Sequence, residues 1–331
     1  MTVASLAITP EAARVAVEEA AVRTYGEATQ HLCKHHRIRL SKQMLETLTQ
    51  TVGTYWRACD DQTLQAAKTA RKAPSATISA KRCCVFADGV MVHTDGDWHE
   101  TRVGTVRSDD VHNVEHKSSI ARQCSVDELG DDLWRKACQM GYCQAETKAF
   151  IADGGQWLWN QAQRRFGSAI HILDFWHVCD HVSQCAKAFF GEGSDASRQW
   201  ALAVRGTLRA GLVTDALSQV EALNPRRSPA KRKAKHELIT YLTNNRDRMD
   251  YPRYERLGLP IGSGEVEAQC KTLVQARCKQ SGMRWSRAGL EPLLRVRCAI
   301  KDGSYDRQFG HWPTNLAAWQ FRRKQQARHA A

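Results

Sequence analysis

Apolar residues change their spacing several times along this chain, and each change marks a different kind of element. From residue 11 to about 57 the spacing is helical. Ala12, Ala13, Val15, Ala16, Val17, Ala20, Ala21 and Val22 form an Ala/Val-rich run. After Ser41, a residue suited to capping, Met44, Leu45, Leu48 and Val52 recur on one helical face. The break around Arg37 to Leu40 separates two helices and carries basic residues. That arrangement suits a DNA-binding helix-turn-helix and a simple helical hairpin about equally. The stretch AAKTARKAPSATISAKR, small and basic with Pro74 inside it, reads as a linker.

Beyond the linker the pattern turns to β. CCVFADGVMVHT is expected to run as a strand into a turn or hairpin, with WHETRVGTVRS alternating as its antiparallel partner. VDELGDDLWRKACQMG then reads as a helix whose acids come first and bases last, matching its dipole. KAFIAD is the next strand, GQWLWNQAQRRFG the next helix and AIHILD the following strand. Strands in antiparallel order, then strands alternating with helices, predict an α/β fold built on a mixed sheet. From Phe175 to about Arg248 the pattern is almost wholly helical, interrupted by GEGSD and NPRRSPAKRKAKHE. This is too long for a connection in a compact sheet and predicts an inserted helical subdomain. The expected organisation is a helical region over 1–62, a linker over 63–80, a core from 81–181 and 256–302, an insertion over 182–255, and a basic tail over 303–331.

Composition narrows the function classes. With 331 residues, 42% hydrophobic content and ten tryptophans, the chain can bury a substantial core. Its apolar stretches fall far below the roughly 20 residues of a spanning helix, and no signal pattern opens the chain, so a cytoplasmic, nucleoid-associated protein is expected. A net charge of +13 favours a polyanionic partner, with nucleic acid foremost. The twelve cysteines are dispersed and form no CxxC pair, which argues for reduced thiols and against a zinc finger.

Two segments carry candidate chemistry. VFADG and FIADGG each end an apolar run in a carboxylate before glycine, giving Asp88 and Asp153 at expected strand ends. A turn-forming Asp explains either one alone. A third acid is available in IGSGEVEAQCK, at Glu267 or Glu265, where a helix dipole favours carboxylates whether or not they bind metal. Three such acids together suit two divalent cations and phosphoryl transfer.

The order VFADG, IADGGQWLWN, ILDFWHVCDH, YPRYERLGLPIGSGEVEAQCK and SGMRWSRAG resembles DDE transposases of bacterial insertion sequences, of the Kra type. The resemblance spans about residues 20 to 312. It implies a ribonuclease H-like core with Asp88 on the first strand, Asp153 on the fourth, and Glu267 on the helix that closes the sheet. About 114 positions (267 − 153) separate the last two acids, room enough for the helical insertion. The motif favours Glu267 over Glu265. The implied activity is Mg²⁺- or Mn²⁺-dependent cleavage and transfer of double-stranded DNA by two ions at Asp88, Asp153 and Glu267, in a homo-oligomer on DNA.

The same resemblance places auxiliary roles. Asp174 and His177 match an acid-x-x-His signature found in related transposases, with His181 on the same helical face. By spacing, Lys271 follows Glu267 by four residues on one helical face, which suits a substrate phosphate or an ordinary Glu–Lys surface pair, while Arg284, Trp285 and Arg287 suit a grip on DNA by charge and stacking. From its charge alone, the basic run Arg226, Arg227, Lys231, Arg232, Lys233 and Lys235 reads as a DNA-backbone contact in preference to a solvated loop. Trp157, Trp159 and Trp176 are expected in the core. Relatives usually carry a longer amino-terminal region, so the alternatives are a DNA-binding relic without transposition activity and a metal-dependent nuclease.

Overall fold

The computed structural model describes residues 8–311 and contains a five-stranded mixed sheet flanked by helices. Strands β1 (Ala80–Thr94), β2 (Asp97–Asp110), β3 (Glu115–Arg122), β4 (Thr147–Ala152) and β5 (Ile170–Leu173) lie in the order β3-β2-β1-β4-β5. The first three pair antiparallel, whereas β4 joins β1, and β5 joins β4, in parallel. The β1–β2 hairpin closes on Asp95 and Gly96, both at positive φ (51° and 93°), the geometry that favours Asp-Gly in two-residue turns.

Helix α4 (Val126–Gln139) covers one face of the sheet, with Leu133 packed where Gly104 of β2 leaves room. Arg107, three residues along the same strand, points to the opposite face. There it meets Glu265 of helix α11 (Gly264–Gln269). Helix α5 (Gln156–Arg165) packs on β4, and α6 (Phe175–Phe190) follows β5. The insertion is helical as expected, with α7 (Asp195–Arg209), α8 (Val213–Glu221), α9 (Pro229–Asn245) and α10 (Tyr251–Arg256). After α11 the chain continues as a π-helical turn over Cys270–Gln275 and a last turn, α12 (Ala276–Cys278). Helices α13 (Arg287–Lys301) and α14 (Tyr305–Gly310) complete the described chain.

The amino-terminal helices α1 (Pro10–Val22), α2 (Tyr25–His31) and α3 (Lys42–Ala70) do not stand apart from this body. Val17, Ala20, Leu45, Leu48, Val52 and Trp56 share one apolar cluster with the sheet. α3 crosses α13 so closely that a Cβ at Gly53 would run into the Pro292 backbone. Arg277 donates to the carbonyl of Ala20, and Arg297 donates to those of Ala21, Leu273 and Thr272. These guanidiniums satisfy the open carbonyls at the end of α1, which packing would otherwise strand.

Several expectations need correction. α3 runs on to Ala70, so the connection to the sheet is only residues 71–79. β3 has no counterpart in the sequence pattern. The start of the supposed tail is packed structure, since Tyr305 donates to the Arg14 carbonyl at 2.6 Å and its ring meets Trp56 edge-on. Residues 312–331 of that tail lie outside the described residues. The break at Arg37 to Leu40 falls as expected, with Arg37 at φ 55° and α3 beginning after Ser41. Among the described residues no helix is long and apolar enough to cross a membrane.

Candidate active site

Asp88 lies within β1 and pairs with Val103 of β2, so it is not at a strand end. The Asp-Gly pair does not turn because β2 continues alongside it to the hairpin. What ends near Asp88 is the other neighbour: β1–β4 pairing stops at Phe86 opposite Ile151. Carrying that parallel register two residues further sets Asp88 level with Asp153, just beyond β4. Gly154 then takes φ 105°, and Asp153 Oδ1 accepts from the Gly155 amide at 3.0 Å, which starts α5. The chain leaves the sheet here, and the Asp153 side chain remains beside Asp88.

Glu267 reaches the same place from α11. Burial pushes the Asp88 carboxyl above its ordinary range, and the charges of Asp153 and Glu267 push in the same direction. The Gly89 amide, donating to Asp88 Oδ1 at 2.6 Å, and the Cys270 thiol, 3.6 Å from Oδ2, act against them. Among the described residues neither Asp88 nor Asp153 has an ion-pair partner, and Glu267 has only the exposed Lys271 at 3.9 Å. The buried acids Asp132 and Asp60, by contrast, are ion-paired, Asp132 with Arg122 and Arg57 and Asp60 with Arg295. Carboxylates drawn together with no buried basic partner are of the type that could hold a divalent cation. The oxygens of Asp88, Asp153 and Glu267 do not all close to within 4.8 Å, the span of a one-ion cage.

Glu265 is placed elsewhere. Its carboxylate binds Arg107 at 3.1 Å and Lys117 at 2.9 Å, joining α11 to β2 and β3. Two helix positions on from it, Glu267 faces the other acids.

Asp174 is 1% exposed and fully occupied. Oδ1 accepts from the amides of Trp176 and His177 at 2.7 and 3.3 Å, capping α6. Oδ2 accepts from the Ser263 amide at 2.9 Å and from its hydroxyl. Ser263 Oγ also lies 3.4 Å from Glu267 Oε1, so its single proton is directed to one of two acids. Asp174 is thus a clamp rather than a metal ligand. It fixes the loop before α11, and the position of Glu267 follows. Gly262 is required there, because a Cβ would approach the Trp176 ring to 2.7 Å. Trp176, expected in the core, is 59% exposed beside this loop, whereas Trp159 is buried and Trp157 half-buried. His177 lies on α6 with its ring 5.0 Å from that of His181.

No protein-family model matches the chain, and no curated protein matches it.

Three residues of the site carry no role in the sequence pattern. Ser263 sits in the GSGEVE motif, and Cys270 follows Glu267 by three residues, so both are open to helical spacing. Tyr241 is not. It comes from α9 of the insertion and donates to the Asp153 main-chain carbonyl at 2.9 Å, with His181 stacked on its ring at 4.0 Å. Tyr241→Phe, which keeps the ring and removes this bond, should lower cleavage by about 10- to 100-fold. An unchanged rate in a DNA-cleavage assay would remove Tyr241 from the site.

The expected DNA-gripping residues divide. Trp285 is half-buried: its indole donates to the Cys278 carbonyl at 3.0 Å, and Arg277 covers its face at 5.1 Å. Its backbone clasps the hairpin tip, and Arg287 donates to Asp95 and to the Gln123 carbonyl. The indole N–H and one side of the Trp285 ring are therefore already engaged within the protein. Arg284 is exposed, with no side-chain partner among the described residues. In the basic run Lys231 binds the Phe189 carbonyl at 2.9 Å and Lys235 binds those of Glu221 and Leu223, closing the ends of α6 and α8. Arg226, Arg227, Arg232 and Lys233 are exposed.

Proposed function

We propose that the protein is a DDE-type transposase with a ribonuclease H-like core, cutting and joining double-stranded DNA. The observation that carries this is that Asp88 of β1, Asp153 at the end of β4 and Glu267 of α11 lie near enough for the latter two charges to act on Asp88, with only the exposed Lys271, among the described residues, paired to any of them. The strand order, three antiparallel and two parallel, suits the proposed core. Asp88, Asp153 and Glu267 would hold Mg²⁺ or Mn²⁺. Such ions, when bound, favour in-line attack on phosphorus by water or a 3′ hydroxyl and stabilise the leaving oxygen.

The chain's own residues do the positioning. Asp174 and Ser263 hold Glu267 in place, and Tyr241 holds the backbone at Asp153. Lys271, 70% exposed in its side chain and 3.9 Å from Glu267, can turn to a phosphate at little loss. The buried Cys270 thiol donates toward Asp88 at 3.6 Å, and burial and then the Asp88 charge push its pKa up.

The test is incubation of the full chain with the terminal DNA of its own element and Mg²⁺ or Mn²⁺. Cleavage at the ends followed by joining is expected. Cleavage without joining would select a nuclease instead, and no cleavage with either ion would leave a DNA-binding protein. Replacing Arg226, Arg227, Arg232 and Lys233 with Ala should weaken DNA binding uniformly across sequences. The slope of log affinity against log salt should fall by about 0.9 for each phosphate that is no longer neutralised. An unchanged slope would take the insertion off the DNA path.

A further inference from the structure

A second cluster of metal-ligating side chains lies away from the three acids, where α1 meets α2. Glu19 on α1 faces His31 and His36, with Oε2 3.2 Å from His31 Nδ1 and Oε1 3.9 Å from His36 Nε2. One ligand atom from each falls within 4.8 Å of the others, and this is the one such group among the described residues.

The backbone departs from regular helix in order to gather them. At 3.6 residues per turn, two side chains five apart point about 140° away from each other. Here α2 passes into a π-helical turn over Leu32–His36, whose wider winding returns His36 to the side of His31. The turn is closed by Arg37 at φ 55°, an unusual conformation for a residue with a side chain. His31 Nδ1 is buried and makes no hydrogen bond, although the Glu19 carboxylate is beside it. The ring of His35 lies 4.4 Å from that of His31.

We propose that Glu19, His31 and His36 bind one divalent transition-metal ion of the zinc class. Two imidazoles and a carboxylate are its ordinary donors, with a fourth position for water. Arg23 also pairs with Glu19, so the cluster by itself has no net negative charge. That disfavours Mg²⁺, which is held by charge and oxygen, and favours an ion bound through nitrogen. The ion would fasten α1 to the π turn and fix the angle at which the chain enters α3.

Co²⁺ titration of the full chain tests this, because tetrahedral cobalt absorbs in the visible. One equivalent should develop a band that survives Asp153→Asn and disappears in both His36→Ala and Glu19→Gln. His36 is exposed, and circular dichroism on each variant checks that the fold is kept. Zinc should raise the melting temperature of the wild type and leave His36→Ala unmoved. A band retained in His36→Ala and Glu19→Gln, or lost in Asp153→Asn, would overturn the assignment.

Discussion

Asp153→Asn is expected to abolish metal-dependent DNA cleavage, lowering its rate by more than about 100-fold, the upper range for residues that only support a metal ligand. The substitution keeps shape and the bond from Gly155 while removing one of three charges. Glu267→Gln should behave alike. Glu265→Gln should not, since that carboxylate is spent on Arg107 and Lys117. Its loss weakens the seam between α11 and the sheet, so cleavage per folded molecule persists while the melting temperature falls. If Glu265→Gln were inactive but fully stable and Glu267→Gln active, the third acid would be assigned to the wrong residue. If Asp153→Asn cleaved at the wild-type rate, the metal-site proposal would fail with it.

The largest stability effect is expected from Asp60→Asn, at about 3–5 kcal/mol, the scale for breaking a buried ion pair from one side. Asp60 of α3 binds Arg295 of α13 at 2.6 Å and Arg135 of α4 at 3.3 Å. Arg135 in turn faces Asp132, which binds Arg57 and Arg122. Burial alone would raise the Asp60 pKa, but Arg295, Arg135, Lys136 and Arg57 together outweigh it and hold the carboxyl well below its ordinary range. A depressed folded pKa gives stability that is present above the unfolded value near 4 and is lost as pH falls through the folded one. Wild type should therefore lose stability below about pH 4, and Asp60→Asn should lose less over that interval. Urea midpoints at neutral and acid pH check both statements. A shift below about 1 kcal/mol at neutral pH, the scale of an exposed pair, would contradict them.

Much of the sheet was legible because its signals are local. Alternation in WHETRVGTVRS and the Asp-Gly turn specify a hairpin without help from elsewhere. β3 is different: HKSSIAR offers no alternation, and Ser118 and Ser119 are buried only because Asp302, at the end of α13, accepts from both. That partner is about 180 residues away, beyond any local pattern. The same limit explains Asp88, where glycine suggested a turn but a paired neighbour keeps the strand going. The choice of Glu267 over Glu265 rested on resemblance. The structure adds its own reason, in the cations that occupy Glu265. The basic run shows the reverse problem: charge is visible in sequence, but not that Lys231 and Lys235 spend theirs on helix ends. Tyr241 was out of reach, since 88 positions separate it from Asp153.

The arginines that hold α1 have a consequence for how the protein is made. Ala20 and Ala21 leave the ribosome 257 and 276 residues ahead of Arg277 and Arg297, which satisfy their carbonyls. At about 5–20 residues per second, α1 waits at least some ten seconds for its partners. During that time the Ala/Val face of α1 is open to other chains. Pairing of segments so distant in the chain is also slow in its own right. The body containing Asp88, Asp153 and Glu267 thus becomes whole only after Arg297 has emerged, and a chain cut short before Arg277 would present both an incompletely packed site and an adhesive α1.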